Sequence, residues 1–161
     1  TYVQGYEKSK QNNILLYSNK NADKGGEGYI SLNDVVSHKE WVSMYKVYVS
    51  RAYGERGDFP YLVIGKPFFG EQNSCCTETY LVIGPVENAN DAKHIITYMR
   101  TKFFRFLVLL TKNTQDAPAK VYQFVPLQDF SEPWTDEKLY KKYNLSEEEI
   151  AFIESMIRPM E

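Results

Sequence analysis

The chain has 161 residues, a formal net charge of −2 and 43% hydrophobic residues. This length fits one domain with enough apolar side chains for a core. The sequence has no signal peptide and no apolar run approaching the ~18 residues that a membrane span needs. Tyrosine occurs 13 times, so some tyrosines are expected on the surface, either in a binding face or on a tyrosine-rich sheet.

The first third of the chain predicts two strands and a short helix. The apolar run 14–17 is typical of a short strand, and the polar residues of 18–28 indicate a loop. Residues 33–41 are expected to form a short helix. Residues 44–51 alternate, which predicts a strand with Val47 and Val49 on a buried face and Lys46, Tyr48 and Ser50 on the other.

The middle of the chain predicts two buried strands and one long helix. The five letters YLVIG occur at 61–65 and again at 80–84, and both are interpreted as strands. Asn88 or Asn90 is expected to cap a helix, because its side chain accepts from free backbone N–H groups of the first turn. From Ala92 to Leu110 apolar residues recur at helical spacing, and this stripe predicts core packing.

The last third predicts a strand over 120–126 and two short helices. Thr135 is a candidate cap for a helix reaching Tyr143. Ser146 and Glu149 form a capping-box pattern that starts an amphipathic helix. The irregular order of elements predicts an α+β domain with a mixed β-sheet, one long central helix and a short C-terminal helical segment.

Charge is unevenly distributed along the chain. Residues 1–92 hold 9 basic and 11 acidic side chains, and residues 123–161 hold 4 basic and 9 acidic ones. Between them, residues 93–122 hold six basic side chains and one acidic side chain, Asp116. The negative total argues mildly against a DNA-binding protein, whereas the basic middle segment marks a candidate binding region.

Cysteine chemistry and the chain start give two further expectations. Cys75 and Cys76 are the only cysteines, and adjacent cysteines rarely form a disulfide because the geometry is strained. We therefore expect free thiols on a strand and a reducing compartment. The chain begins at Thr1 without an initiator methionine, which suggests a piece excised from a longer protein.

Motifs for catalysis are missing from the sequence. His38 and His94 are isolated, and no histidine or cysteine cluster has metal-ligand spacing. The sequence has no nucleophile elbow and no phosphate-binding loop. It also lacks the Pro-Pro pair of adenine methyltransferases and the Glu-x-Lys of common metal-dependent nucleases. Residue order alone leaves a Ser-His-Asp or Cys-His arrangement open.

Three stretches together resemble the C-terminal region of bacterial restriction-modification methylases that modify adenine. They are SRAYG at 50–54 with IGKPF at 64–68 and NSCCTETYLVIG at 73–84; KFFRFLV at 102–108 with VYQFVP at 121–126; and WTDEKLY at 134–140 continuing to IRPM at 157–160. The resemblance covers roughly residues 29–161, and the first 28 residues match less clearly.

The resemblance implies a DNA target-recognition domain spanning 1–161 that lacks the catalytic methyltransferase domain. In that family the N-terminal part binds S-adenosylmethionine and transfers the methyl group, while the C-terminal part reads DNA. The chain is therefore expected to hold no cofactor or metal and to be no enzyme in isolation. Its expected partners are double-stranded DNA and the catalytic domain of a cytoplasmic bacterial parent protein.

Eight residues are the candidate DNA contacts under this interpretation. Basic side chains neutralise phosphates, while arginine and amide side chains discriminate base edges. The candidates are Arg51, Tyr53, Arg56, Lys66, Gln72 and Asn73 in loops near strand ends, with Lys102 and Arg105 extending the basic surface. The alternative interpretation of each side chain is that it is an ordinary solvated surface group with no role in binding.

Two other functions stay open at this point. The domain could dock the methylase to a partner subunit or to a second copy of itself, for which the acidic helix at 146–157 is suited. It could also be a self-sufficient enzyme of unfamiliar type. Salt separates DNA binding from docking, because counterion release weakens DNA binding steeply as salt rises.

Overall fold

The structure, a computed structural model, describes residues 5–18, 28–54 and 59–161. In these residues six strands form two three-stranded sheets, and four α-helices follow the strands. The strands are β1 (Ile14–Tyr17), β2 (Gly28–Ile30), β3 (Tyr45–Ser50), β4 (Phe68–Gly70), β5 (Ser74–Cys76) and β6 (Tyr80–Val86). The helices are α1 (Ala89–Arg100), α2 (Lys102–Leu109), α3 (Asp136–Lys142) and α4 (Glu147–Met156). The predicted α+β class is confirmed.

The two sheets differ in strand direction. In the first sheet, ordered β2-β1-β5, β1 pairs antiparallel with β2 and parallel with β5, so this sheet is mixed. In the second sheet, ordered β4-β3-β6, all pairings are antiparallel and β3 is central. The cysteines lie on β5, as expected, and the strand over 80–84 is confirmed within β6.

Strand β3 is buried on both faces. Val47 and Val49 are 0% exposed and belong to the main core with residues of all four helices. On the opposite face, Lys46 is 2% and Tyr48 0% exposed, and both bond to Ser74 of the first sheet. The predicted alternation is therefore correct, and the polar face of β3 contacts the first sheet.

The predicted long central helix is wrong: the apolar stripe is shared by two helices that meet at Thr101. Thr101 has a ψ angle of 151°, and this extended backbone conformation ends α1. Its Oγ1 atom accepts a 3.1 Å hydrogen bond from the backbone N–H of Phe104, which starts α2. The stripe packs in the core at Ile95, Met99 and Phe103, as expected, but its last residue, Leu110, is 60% exposed.

The predicted strand over 61–65 is also wrong. Within this segment, Tyr61 makes a single bridge, to Ile157, and Val63 has a positive φ of 75°. The carbonyl oxygens of Leu62 and Val63 accept hydrogen bonds from side chains of Arg105 and Lys112. Side chains of α2 and the turn after it therefore satisfy backbone acceptors that a neighbouring strand would otherwise occupy.

Two predicted elements, the helix over 33–41 and the strand over 120–126, are replaced by short 3-10 turns in the structure. The region 33–41 forms turns over Leu32–Asp34 and Lys39–Ser43, separated by His38 at a positive φ of 53°. The predicted strand over 120–126 is wrong, since Ala119–Tyr122 is a 3-10 turn that begins after Pro118.

Helix caps were the most accurate local predictions. Asn88 Oδ1 accepts a 2.9 Å hydrogen bond from the N–H of Asp91. Thr135 caps α3, and Ser146 with Glu149 forms both bonds of the predicted capping box. Among the described residues, no helix combines the length and apolar character that crossing a membrane requires.

Candidate nucleic-acid interface

Five of the eight predicted DNA contacts lie near the two ends of β3. Arg51 and Tyr53 follow its last residue, and the backbone of Gly65, next to Lys66, lies beside the Tyr53 ring. Gln72 and Asn73 follow β4, whose last residue Gly70 pairs with Lys46 near the start of β3. Six residues of strand separate the two groups by about 17 Å. Arg56 lies outside the described residues.

The group at the end of β3 is held by residues 112–116. Arg51 Nε lies 3.1 Å from Asp116 Oδ1, and both side chains are about half exposed, at 44% and 53%. Lys112 Nζ lies 5.4 Å from the centre of the Tyr53 ring and donates to the Tyr53 carbonyl oxygen at 2.6 Å. Lys66 is exposed. A phosphate at this surface would have to compete with Asp116 for Arg51.

Arg105 is not a surface residue, which corrects its expected place on a basic face. Its side chain is 0% exposed. The guanidinium group donates to the backbone carbonyl oxygens of Leu62, Arg100, Thr101 and Arg158 at 2.8–3.3 Å. A guanidinium surrounded in this way holds the fold together and is shielded from DNA.

Lys102 is also committed to an intramolecular contact. Its ammonium group pairs with the carboxylate of Glu154 on α4, and its side chain is 17% exposed. The Glu154 carboxylate also accepts a 2.9 Å hydrogen bond from the Tyr140 hydroxyl. The pKa of Glu154 is lowered overall, although partial burial opposes the hydrogen bonds from Lys102 and Tyr140.

The basic segment 93–122 therefore does not form one phosphate-binding face. Arg100 donates to the Met160 carbonyl oxygen at 3.0 Å, and Lys112 donates to two carbonyl oxygens. Lys93 and Lys120 are the exposed cations of this segment. Most of the positive charge that stands out in the sequence stabilises loops and helix ends instead.

The group at the start of β3 opens into a polar cleft of about 530 Å³, which we call the Asn73 cleft. Among the residues that the structure describes, its lining contains two lysines, four amide side chains and no carboxylate. The lining residues are Lys10, Gln11, Asn13, Ile14, Ser31, Leu32, Asn33, Lys39, Val42, Ser43 and Asn73. All six of its lysine and amide side chains are exposed, so they are accessible to a ligand.

Backbone hydrogen bonds position Asn73 in this cleft. Its N–H donates to the Val42 carbonyl oxygen at 2.7 Å, and its carbonyl oxygen accepts from the Leu15 N–H at 2.8 Å. Asn73 has a positive φ of 55°, a conformation that asparagine adopts more readily than most residues. The backbone is therefore occupied, and the exposed amide is directed to the surface.

Sequence reasoning identified Asn73 and missed the other polar residues of the cleft. Lys10, Gln11 and Asn13 precede β1, and Asn33 and Lys39 lie in the 3-10 turns. The only local indication of these residues was that amide and lysine side chains cluster in loop segments of the sequence. Their meeting with Asn73 depends on the parallel pairing of β1 with β5, a long-range contact.

A second cleft, of about 610 Å³, lies on the other side of Val42, which lines both. We call it the Lys46 cleft. Lys46 Nζ donates to the carbonyl oxygens of Val42 at 3.3 Å and Ser74 at 3.0 Å, and both of these residues line the cleft. The stacked rings of His38 and Trp41, with centroids 3.8 Å apart, also line it.

Burial changes the acid–base chemistry of the Lys46 cleft. Removal from water lowers the pKa of the Lys46 ammonium to about 8, although neighbouring Cys75 and Cys76 oppose this shift. Burial raises the pKa of the Cys75 thiol to about 11 and that of Cys76 to about 12. Both cysteines are free thiols in the structure, and near neutral pH they are protonated.

The described residues contain no group of three or more histidine, cysteine or carboxylate side chains placed to hold a metal ion. Comparison with known proteins finds no matching family model, and no significant match among curated proteins or solved structures.

Proposed function

We propose that this chain is the DNA target-recognition domain of a bacterial restriction-modification adenine methyltransferase, and that the Asn73 cleft is its DNA-contacting surface. The enzyme class is supported by the sequence resemblance over roughly residues 29–161. The DNA contact is supported by one structural observation, the concentration of lysine and amide side chains in a cleft whose described lining residues include no carboxylate.

The chemistry of the cleft suits a duplex groove edge. Lys10 and Lys39 supply positive charge for phosphates. Asparagine and glutamine amides offer a donor and an acceptor side by side, the pattern that pairs with the major-groove edge of adenine. Asn73 is the amide with the most firmly held backbone, so it is the proposed base-reading residue of the group.

The proposal changes the DNA-binding set expected from the sequence. Gln72 and Asn73 remain in it, joined by the cleft residues before β1 and in the 3-10 turns. Exposed Arg51 and Lys66, with half-buried Tyr53, form a second group at the far end of β3 and serve as an alternative surface. Lys102 and Arg105 are removed, because their charged groups are bound within the fold.

The test is binding of the full chain to a labelled random duplex, measured by fluorescence anisotropy at about 50 and 200 mM salt. The cleft variant carries Lys10→Glu and Lys39→Glu. The matched control carries Lys93→Glu and Lys120→Glu, which reverse two exposed lysines outside the cleft. Both variants change the net charge equally, so long-range electrostatics are balanced between them.

The unmodified chain is expected to bind more weakly as salt rises. The cleft variant should lower the slope of log affinity against log salt by about 1.8, because each phosphate contact contributes about 0.9. The control should keep the slope. Equal effects of the two double variants would rule out the cleft as the binding surface, and no binding at the lower salt would rule out DNA recognition by this chain.

The alternative function, a protein docking module, draws on a different surface. Leu127 is 88% and Phe124 60% exposed, between the last 3-10 turn and α3. The helix expected to dock, α4, has Phe152 at 55% exposure, while its Ile153 is buried against the core. An apolar interface at these residues would persist at the higher salt, where DNA binding weakens.

A further inference from the structure

The Lys46 cleft has the dimensions and lining of a small-molecule site. Its volume of about 610 Å³ lies within the ~300–1,000 Å³ usual for ligand pockets. Apolar side chains such as Leu16, Ile30 and Val82 line it, together with a few polar groups. Such a lining favours a mainly apolar ligand with a small number of fixed hydrogen bonds.

The Lys46 ammonium is a buried charged group in the lining of this cleft. The Lys46 side chain is 2% exposed, and the two carbonyl oxygens that accept from it belong to cleft-lining residues. An ammonium group has three N–H donors. The two bonds found among the described residues leave one donor for a ligand acceptor, which a buried charge strongly favours.

Planar rings cover one side of the entrance. The rings of His38 and Trp41 are nearly parallel, at 13°, with centroids 3.8 Å apart. His38 has a positive φ of 53°, an uncommon conformation for a residue other than glycine, which turns the chain between the two 3-10 turns. Aromatic side chains of this kind provide a surface on which a base or another flat ring stacks.

The charges at the cleft argue against a phosphate ligand. Asp34 and Glu78 also line it, and their carboxylates would repel an anion. Asp34 is held by hydrogen bonds from the N–H and hydroxyl of Ser31, at 3.1 and 2.7 Å, which lower its pKa and keep it ionised. The best fit is a neutral flat ring that presents a carbonyl oxygen to Lys46.

We propose that the Lys46 cleft binds a keto nucleobase, with Lys46 donating to a ring carbonyl oxygen and Trp41 covering the ring at the entrance. The base comes either from a free nucleoside or from an unpaired position in DNA. The DNA form rests on the proposed function, because Val42 lines both clefts, which places an unpaired base beside a duplex held at the Asn73 cleft.

The experiment measures binding of the full chain to two sets of probes. The first pair is thymidine, which has ring carbonyl oxygens, and deoxyadenosine, which has none; binding is followed by calorimetric titration. The second set is one duplex in three forms: fully paired, with a single unpaired thymine, and with a single unpaired adenine. Lys46→Met removes the donor in a side chain of similar length. Trp41 is half-buried, and Trp41→Leu removes its stacking ring.

Either thymidine or the unpaired-thymine duplex should bind about tenfold more tightly than its matched control, the gain expected for one hydrogen bond to a charged donor. Lys46→Met should abolish this preference while leaving affinity for the paired duplex unchanged. Trp41→Leu should weaken both thymine probes, and it replaces Lys46→Met as the test if that variant does not fold by circular dichroism.

The outcomes separate this inference from the proposed function. Normal binding of the paired duplex with no preference for thymine in either set overturns the base-binding cleft and leaves DNA recognition standing. A thymidine preference without duplex binding supports the cleft as a free-nucleoside site and overturns DNA recognition. A thymine preference that survives both substitutions also overturns the inference, because the preference then arises elsewhere.

Discussion

Arg105 Nη1 donates a 2.8 Å hydrogen bond to the backbone carbonyl oxygen of Arg158, which lies 53 residues later in the chain. The same guanidinium group donates to Leu62, Arg100 and Thr101. One buried side chain therefore ties the helix junction to the 61–65 segment and to the C-terminal residues. This arrangement makes Arg105 a structural residue and leads to the first prediction.

Arg105→Met is expected to lower the free energy of unfolding by on the order of 3–5 kcal/mol, because it leaves several buried carbonyl oxygens without their donor. Lys120→Met, an exposed neighbour in the basic segment, should change it by about 0.5 kcal/mol or less. Urea unfolding of both variants gives the comparison. Equal midpoints for the two would show that the guanidinium contacts contribute little.

The same substitution should have different effects at buried Tyr98 and at half-buried Tyr122. Tyr98 donates from its hydroxyl to the Pro126 carbonyl oxygen at 2.8 Å. Among the described residues, the buried hydroxyl of Tyr122 has no hydrogen-bond partner. Tyr98→Phe should destabilise the fold by about 1–2 kcal/mol, while Tyr122→Phe should be neutral or stabilising. Thermal unfolding of both variants tests this, and a loss of stability in Tyr122→Phe would contradict it.

Both thiols should react slowly in the folded chain. Burial raises the pKa of Cys75 to about 11, so at pH 8 its thiolate fraction is about 100-fold below that of a thiol with a pKa near 9. Cys76, with a pKa of about 12, should react more slowly still. Iodoacetamide labelling followed by mass spectrometry measures both rates. In urea both should label at the ordinary rate, and equally fast labelling of the folded chain would refute the prediction.

The stability of the fold should depend on pH through Lys46. Burial lowers the pKa of its ammonium to about 8, from about 10.5 in the unfolded chain. Keeping the buried lysine charged therefore costs stability below pH 8, and the cost disappears as pH rises towards 10.5. Over that window the unmodified chain should gain up to about 3 kcal/mol relative to Lys46→Met.

Urea unfolding of both proteins at pH 7.5 and pH 10 measures this difference. Cys75 and Cys76 are present in both proteins, and their raised pKa values act in the opposite direction as pH rises, so taking the difference cancels most of their contributions. Asp34, which lines the same cleft, is ionised at both pH values because hydrogen bonds from Ser31 lower its pKa. A difference that stays constant between the two pH values would show that Lys46 keeps its proton throughout.

Local interactions explain what the sequence alone could determine. The caps at Asn88, Thr135 and Ser146 depend on side chains and N–H groups three residues apart. Strands β1, β3 and β6 follow from period-two patterns or short apolar runs, and the α1–α2 stripe follows from helical spacing. These signals lie within a few residues of each other, so the α+β class could be read from them.

Tertiary contacts decided the rest. The 61–65 segment is not a strand because Arg105 and Lys112 occupy its carbonyl oxygens. The basic segment does not form one continuous cationic face, because Arg100, Lys102, Arg105 and Lys112 bind carbonyl oxygens or Glu154. Likewise, the pairing of β1 with β5 brings Lys10 to Asn73, and the hydrogen bond from the Asn73 N–H to the Val42 carbonyl oxygen brings in the turn that holds Lys39. The sequence does not show whether a charged side chain is buried, because burial depends on hydrogen-bond acceptors that folding brings from distant parts of the chain.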